Sequence, residues 1–213
     1  GFAVAGWDLA SLAARPDVRD ARVTVAATPN GWADAVVAAA GGERVFVQPE
    51  EREMRFADFA AELLADAPGD GAPADARPVL YLSAQDDSLR RELAPLARDV
   101  PASVGFAAEA FAQPSPEAVN LWIGDARSTT SAHKDHYENL YAVVAGAPKT
   151  FTLLPPSDAA FLGEREYASA RYRRRASDAS PDGAFDVVRE PGGAVPWDAL
   201  DAGAPPAAAP RAP

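Results

Sequence analysis

The chain has 213 residues, 48% hydrophobic and 24% charged, which is ordinary for a globular domain and enough to bury one core. A formal net charge of −11 argues against a nucleic-acid-binding face, and with no cysteine the chain has neither disulfides nor thiolate zinc sites. No apolar run reaches the length of a membrane span and no basic signal-peptide region opens the chain, so neither nucleic acid nor membrane is an expected partner, and a cytoplasmic and/or nuclear location is expected.

The segment "GWDLASLAARPD" spaces its leucines and alanines as a helix, with Asp8 as its cap and Pro16 beyond its end. "ARVTVAAT" alternates as a strand and is closed by a turn at Pro29, Asn30 and Gly31. "WADAVVAAAGG" reads as a short helix stopped by paired glycines, and "RVFVQP" as a short strand. In "MRFADFAAELLAD", Phe56, Phe59, Ala60, Leu63 and Leu64 form one helical stripe. The Gly, Pro and Asp content of "APGDGAPADARP" predicts a surface loop. "VLYLSAQ" follows as a strand and "DSLRRELAPLARD" as a helix. After Val119 the chain reads as strands: "VNLWIG", "ENLYAVVAG", "KTFTLLPP" and "AFDVVRE". The basic cluster "RYRRR" at Arg171 to Arg175 is expected in a solvated loop, and Trp122 and Trp197 in the core or an interface. Three regions are expected: 1–117, helices and strands leading into the core; 118–200, the main strand region; and 201–213, a disordered Ala/Pro tail. The outline is mainly β with flanking helices, without the alternation of a Rossmann sheet.

Both histidines of the chain, His133 and His136, flank Asp135 in "TTSAHKDHYENL". In an extended segment alternate residues share a face, so His133 and Asp135 point the same way and His136 points away. An imidazole and a carboxylate on one face can occupy two neighbouring positions of an octahedral Fe(II), normally completed by a second histidine. His136 is poorly placed for that role and fits a supporting donor or a packed side chain. As residues alone, the three also fit a polar strand edge. Lys149, opening the apolar run "KTFTLL", needs an anionic partner if buried, and a dicarboxylic acid would supply one. Thr130, Asn139 and Tyr81 are further hydrogen-bonding candidates.

The block "NLWIGDARSTTSAHKDHYENLYAVVAG…KTFTLLPPSD" closely resembles the JmjC-domain, cupin-like 2-oxoglutarate oxygenases. Within them it is most similar to the small lysyl hydroxylases that modify developmentally regulated GTP-binding proteins. "ARVTVAATPNGWADAV", "VLYLSAQDDSL" and "GAFDVVRE…VPWDALD" extend the likeness to about residues 20–201. The resemblance implies a double-stranded β-helix, with His133 and Asp135 as metal ligands. It implies Lys149, Thr130, Asn139 and Tyr81 as cosubstrate-binding residues and Tyr141 as pocket-lining. The cofactors implied are Fe(II) and 2-oxoglutarate, with O2 as cosubstrate and ascorbate as reductant. The implied activity is hydroxylation of a protein, with lysine on a GTP-binding protein as target. Histone demethylation or tail cleavage, and a non-catalytic binding module, are the alternatives.

The sequence departs from this family where a distal histidine is expected, in a "W-x-H" segment: no histidine follows His136. The chain also opens on Gly1. Both features suggest a chain truncated at each end, with an incomplete β-helix. Weak iron binding, little succinate formation, an uncovered apolar face and self-association, with a homodimer as its simplest form, are the expectations that follow.

Overall fold

The computed structural model describes residues 3–39, 41–65, 77–175 and 185–198. Its elements in chain order are α1 (Leu9–Ala14), β1 (Arg22–Thr28), β2 (Trp32–Ala33), β3 (Ala35–Ala38), β4 (Arg44–Gln48) and β5 (Glu50–Arg55). There follow α2 (Phe56–Leu64), β6 (Val79–Leu82), α3 (Ser88–Arg91), α4 (Gly105–Ala110), β7 (Ile123–Gly124), β8 (Thr129–Thr130), β9 (Arg165–Arg174) and β10 (Phe185–Trp197). Most of the loop expected at 67–78, and all of the tail at 201–213, lie outside the described residues.

Two four-stranded sheets carry the fold, ordered β5-β1-β6-β7 and β10-β9-β4-β3, and β2 pairs with β8 as a separate parallel ribbon. With few helices flanking them, the sheets make a jelly-roll-type architecture. Strands from both sides of residue 117 share all three sheets.

The first sheet is antiparallel throughout, and β1 is its spine. Val23, Val25 and Ala27 alternate onto one face and pack with Leu12, Phe56, Phe59, Leu80, Leu82, Leu89, Leu93 and Leu96. Phe56 and Phe59 are fully buried, each contributing about 2–3 kcal/mol of transfer free energy. Asp8 caps α1 as expected, its carboxylate accepting from the Ser11 amide at 2.9 Å. The apolar stripe of α2 stops at the half-buried Leu63; Leu64, counted in the stripe from sequence, is exposed.

In the second sheet, β4 sorts its side chains by alternation. Val45 and Val47 join Ala170 and Tyr172 on one face. Phe46 joins Val36, Tyr167 and the half-buried Trp197 on the other. The antiparallel pairing of β10 with β9 is interrupted, with residues 190–193 lying opposite the single Ser169. That bulge holds Pro191, Gly192 and Gly193, residues suited to a break in a ladder.

Several local expectations are corrected. "WADAVVAAAGG" holds β2 and β3 in place of a helix. Asp34 between them adopts φ 54°, which no α-helix continues through, and Val36 and Val37 pack into opposite clusters as in a strand. "DSLRRELAPLARD" is α3 followed by a 3-10 turn at Ala94–Asp99, because Pro95 cannot donate to a continuing helix. "VNLWIG" contributes only β7, and residues 139–155 form no ladder although their alternation reads as strand. "RYRRR" is not a solvated loop: its first four residues end β9, and Arg171 and Tyr172 point into the protein. β5 and α4 were not anticipated.

Candidate functional site

The parallel ribbon places the histidine motif. Gly31 has φ 87°, and a Cβ there would overlap the carbonyl of Arg127, so only glycine lets the two backbones approach. The Gly31 carbonyl accepts from the Thr129 amide at 2.8 Å, and Thr28 Oγ1 accepts from the Gly31 amide at 2.9 Å. Thr129 and Thr130 then pair with Trp32 and Ala33. The expected "PNG" turn is therefore the anchor for the strand leading to residue 131.

Beyond the ribbon, Ser131 is buried and His133 sits at the protein surface. His133 Nδ1 lies 2.8 Å from the Ser131 carbonyl. A carbonyl only accepts, so Nδ1 carries the hydrogen, and in the neutral ring Nε2 is left with its lone pair outward. Nε2 lies 3.5 Å from Asp135 Oδ2. Two ligands at right angles on a cation with bonds of about 2.1 Å would stand about 3 Å apart, and a tetrahedral angle widens this to about 3.5 Å. The imidazole and carboxylate therefore fit adjacent positions on one divalent cation. His136 is exposed, and among the described residues no group of three His, Cys, Asp or Glu side chains gathers as a metal site. Glu138 is exposed as well.

A second group surrounds Lys149. Its Nζ sits 5.6 Å from the centre of the Tyr81 ring, within cation–π range. Gly124, paired with Tyr81 across β6 and β7, makes room for that ring: a Cβ there would come within 2.7 Å of Tyr81 Cδ2. Trp122 stacks on Tyr141 at 5.2 Å, and Phe151 meets Tyr141 edge-on at 4.9 Å. Burial, followed by the neighbouring Tyr141, pushes the Tyr81 phenol up to about 12, and burial also raises Tyr141. Both phenols keep their hydrogens at neutral pH and serve as donors. The structure thus pairs His133 with Asp135, and Lys149 with Tyr81, near Tyr141. Thr130 is a ribbon residue and exposed, and Asn139 is exposed.

Trp197 packs on the core at Phe46 as expected, but its place beside His133, with Ser131 and Asp34, is not legible in the sequence. The Ser131 hydroxyl donates to the Asp34 carbonyl and accepts from Trp197 Nε1 at 3.1 Å. The Trp197 ring lies 11° from parallel to His133, with centres 6.4 Å apart, and tilts against Phe46 at 4.6 Å. Asp34 is held above the ordinary carboxylate range by burial, partly offset by the charges of His133 and Arg171. Ser131 and Trp197 are 66 positions apart, so no local motif joins them.

Fold and motif together point to one family, and comparison with known proteins agrees: residues 3–205 match the cupin-like domain, and the chain belongs to that family in its JmjC branch. It is 40% identical over 195 residues to the human bifunctional peptidase and (3S)-lysyl hydroxylase JMJD7, covering 90% of this chain and 55% of that protein. It is 40% identical over 181 residues to the lysine-specific demethylase JMJ32 of Arabidopsis thaliana, covering 84% of this chain and 48% of that protein. The JmjC domain-containing protein E of Dictyostelium discoideum is 33% identical over 192 residues, 86% of this chain and 53% of its own. The chain spans about half the length of these relatives.

Proposed function

We propose that this chain carries the Fe(II)- and 2-oxoglutarate-binding half-site of a protein hydroxylase whose target is a lysine side chain. The observation that carries the reading is the convergence of His133 Nε2 and Asp135 Oδ2 at 3.5 Å, with Nδ1 already committed to the Ser131 carbonyl. The lysine target is supported by two relatives whose names specify lysyl hydroxylation and lysine demethylation. A developmentally regulated GTP-binding protein is the substrate that the sequence resemblance favours.

His133 and Asp135 would hold the iron, and Lys149 would neutralise the far carboxylate of 2-oxoglutarate. The Tyr81 hydroxyl, protonated at neutral pH, is suited to donate to the same carboxylate. Iron bound with 2-oxoglutarate and O2 supplies the oxidation of an unactivated C–H bond, coupled to release of CO2 and succinate. Trp122 and Tyr141, both half-buried, stack as an apolar wall that would limit water around the cosubstrate, with the exposed Phe151 edge-on to Tyr141. Two protein ligands hold iron more weakly than three, so this chain alone is expected to form little succinate.

Tyr137, Leu140, Val143, Phe151, Leu153, Leu154 and Phe161 are all exposed, which favours self-association. Light scattering over a concentration series tests it.

The functional test is anaerobic titration with Fe(II) and 2-oxoglutarate, followed by succinate measurement with ascorbate and O2. Metal-dependent 2-oxoglutarate binding supports the reading. Little succinate is the expected result for this chain alone, and robust turnover would refute the two-ligand account. Unchanged metal binding in His133→Ala and Asp135→Ala would sink the proposal.

A further inference from the structure

The segment holding His133 is fastened to the last residue of β10 by contacts that the metal chemistry itself does not require. Ser131 lies two residues before His133, and its carbonyl fixes Nδ1 of the imidazole at 2.8 Å. Its side chain is held on two sides: the hydroxyl donates to the Asp34 carbonyl, and Trp197 Nε1 donates to that hydroxyl at 3.1 Å. A serine hydroxyl has one hydrogen to give, so the indole N–H orients it and the Asp34 carbonyl receives it. The residue is only 6% exposed, so neither bond competes freely with water. Trp197 also lies between two rings, tilted on Phe46 of the core at 4.6 Å and nearly parallel to His133 at 6.4 Å.

The bulge in β10 explains how Trp197 reaches this position. Before it, Val187 pairs with Tyr172 and packs on the Val45 and Val47 face. After it, Val195 pairs with Tyr167, and both Val195 and Trp197 pack on the Phe46 face. Side chains alternate along a regular strand, so 187 and 197 would share a face. Four residues set against one shift the count by three, an odd number, and the odd-numbered side chains change sides. The interruption at 190–193 thus delivers the indole to the face where His133 stands.

We propose that Ser131 and Trp197 are positioning residues for His133, holding its imidazole as the Nδ1–H tautomer with Nε2 turned toward Asp135. The inference rests on the reading of His133 as a metal ligand. It adds that β10, more than 50 residues downstream, sets the donor geometry of the motif.

The chain has only two histidines, which makes the test direct. In a His136→Ala background, the ring nitrogens of His133 are the sole imidazole signals in a long-range 15N–1H spectrum, recorded without metal at a pH where the ring is neutral. The expected spectrum shows Nδ1 protonated and Nε2 bare. Trp197→Phe keeps an aromatic ring while deleting the N–H, and Ser131→Ala deletes the hydroxyl. Each should convert the single tautomer to a mixture and weaken Mn(II) binding roughly tenfold, the size usual for groups supporting a metal-bound histidine.

An Nε2–H tautomer in the unsubstituted Trp197 and Ser131 protein overturns the proposal without any further variant, so poor folding of one variant does not shield it. Folded variants that keep the tautomer, or that lose it and still bind Mn(II) with unchanged affinity, also overturn it. Failure of the parent protein to bind Mn(II) at all sinks the metal reading and the positioning role with it. That result differs from failure of positioning alone, in which parent and variants bind Mn(II) equally well.

Discussion

His133 Nε2 and Asp135 Oδ2 face each other at 3.5 Å across a single intervening residue, Lys134, whose ammonium is turned to Glu164. The pairing keeps the lysine charge from competing for Asp135. On the proposed ligand assignment, removing either donor leaves one protein ligand, so His133→Ala and Asp135→Ala should each weaken Mn(II) binding by more than tenfold, and His136→Ala by less than twofold. Titration followed by the Mn(II) paramagnetic resonance signal checks this. A His136→Ala loss as large as that of His133→Ala would show that strand alternation misassigned the ligand.

Lys149 stands over Tyr81 with its ammonium 5.6 Å from the ring centre. A charged hydrogen bond to a carboxylate contributes roughly 1.5–3 kcal/mol, or about 10- to 150-fold in affinity. Lys149→Met is therefore expected to weaken 2-oxoglutarate binding within that range while leaving Mn(II) binding in its absence unchanged. Tyr81→Phe keeps the ring under the ammonium and should cost only severalfold. Calorimetry separates the two, and equal losses in both variants would argue against the lysine as the main anion partner.

Gly31→Ala should lower stability by at least about 2 kcal/mol, because the new Cβ meets the Arg127 carbonyl at a backbone angle only glycine favours. Gly41→Ala is the control: its φ is also positive, at 98°, but its Cβ would face open space, so about 1 kcal/mol of strain is expected. Urea unfolding measures both. Similar losses would mean that the approach of β2 to β8 is not the constraint.

How far the amino-acid pattern disclosed this arrangement depends on the range over which each feature is determined. The cap at Asp8, the buried part of the Phe56–Leu63 stripe and the turn at Gly31 are set by neighbours within a few residues, and each is readable locally. The pairing of His133 with Asp135 is equally local, since it needs only an extended backbone. Residues 139–155 alternate like strands but form no ladder, because alternation specifies a face and not a partner. β3 reads as helix because Ala and Val tolerate both states, and the left-handed Asp34 that decides the matter has no composition signal. The roles of Trp197 and Arg171 are not legible for a different reason. They follow from the pairing of β9 with β4 and from the bulge in β10, contacts that join residues far apart in the chain.

Arg171 is the inward member of the basic cluster. Its guanidinium reaches Glu190 Oε1 at 2.9 Å, the Pro49 carbonyl at 3.0 Å and Gln48 Oε1 at 2.9 Å, tying together β9, β10 and the β4–β5 turn. Arg171→Met leaves the Pro49 carbonyl and Gln48 Oε1 without this donor, while Glu190 keeps Arg173 at 3.5 Å, and should cost roughly 2–3 kcal/mol. Arg175 pairs with Asp186 at the surface, so Arg175→Met should cost under about 1 kcal/mol. Comparable thermal shifts for the two would refute the distinction between a structural and a solvated arginine.

Asp34 gives the last prediction, a pH dependence. Burial raises its pKa above the ordinary 3.8, so the folded chain holds this proton more tightly than the unfolded one. Below 3.8 both states are protonated and the fold carries no charge penalty; as pH rises through the folded value, the half-buried carboxylate ionises and stability is lost. Asp34→Asn cannot ionise, and asparagine tolerates the left-handed φ of 54°. Its melting temperature relative to the parent should therefore climb from pH 3.8 toward neutrality and then level off. The paired carboxylates elsewhere, such as Asp58 beside Arg55, titrate alike in both proteins and cancel in the difference. A difference that stays flat across this range, or falls as pH rises, would mean that the charges of His133 and Arg171 outweigh the desolvation of Asp34.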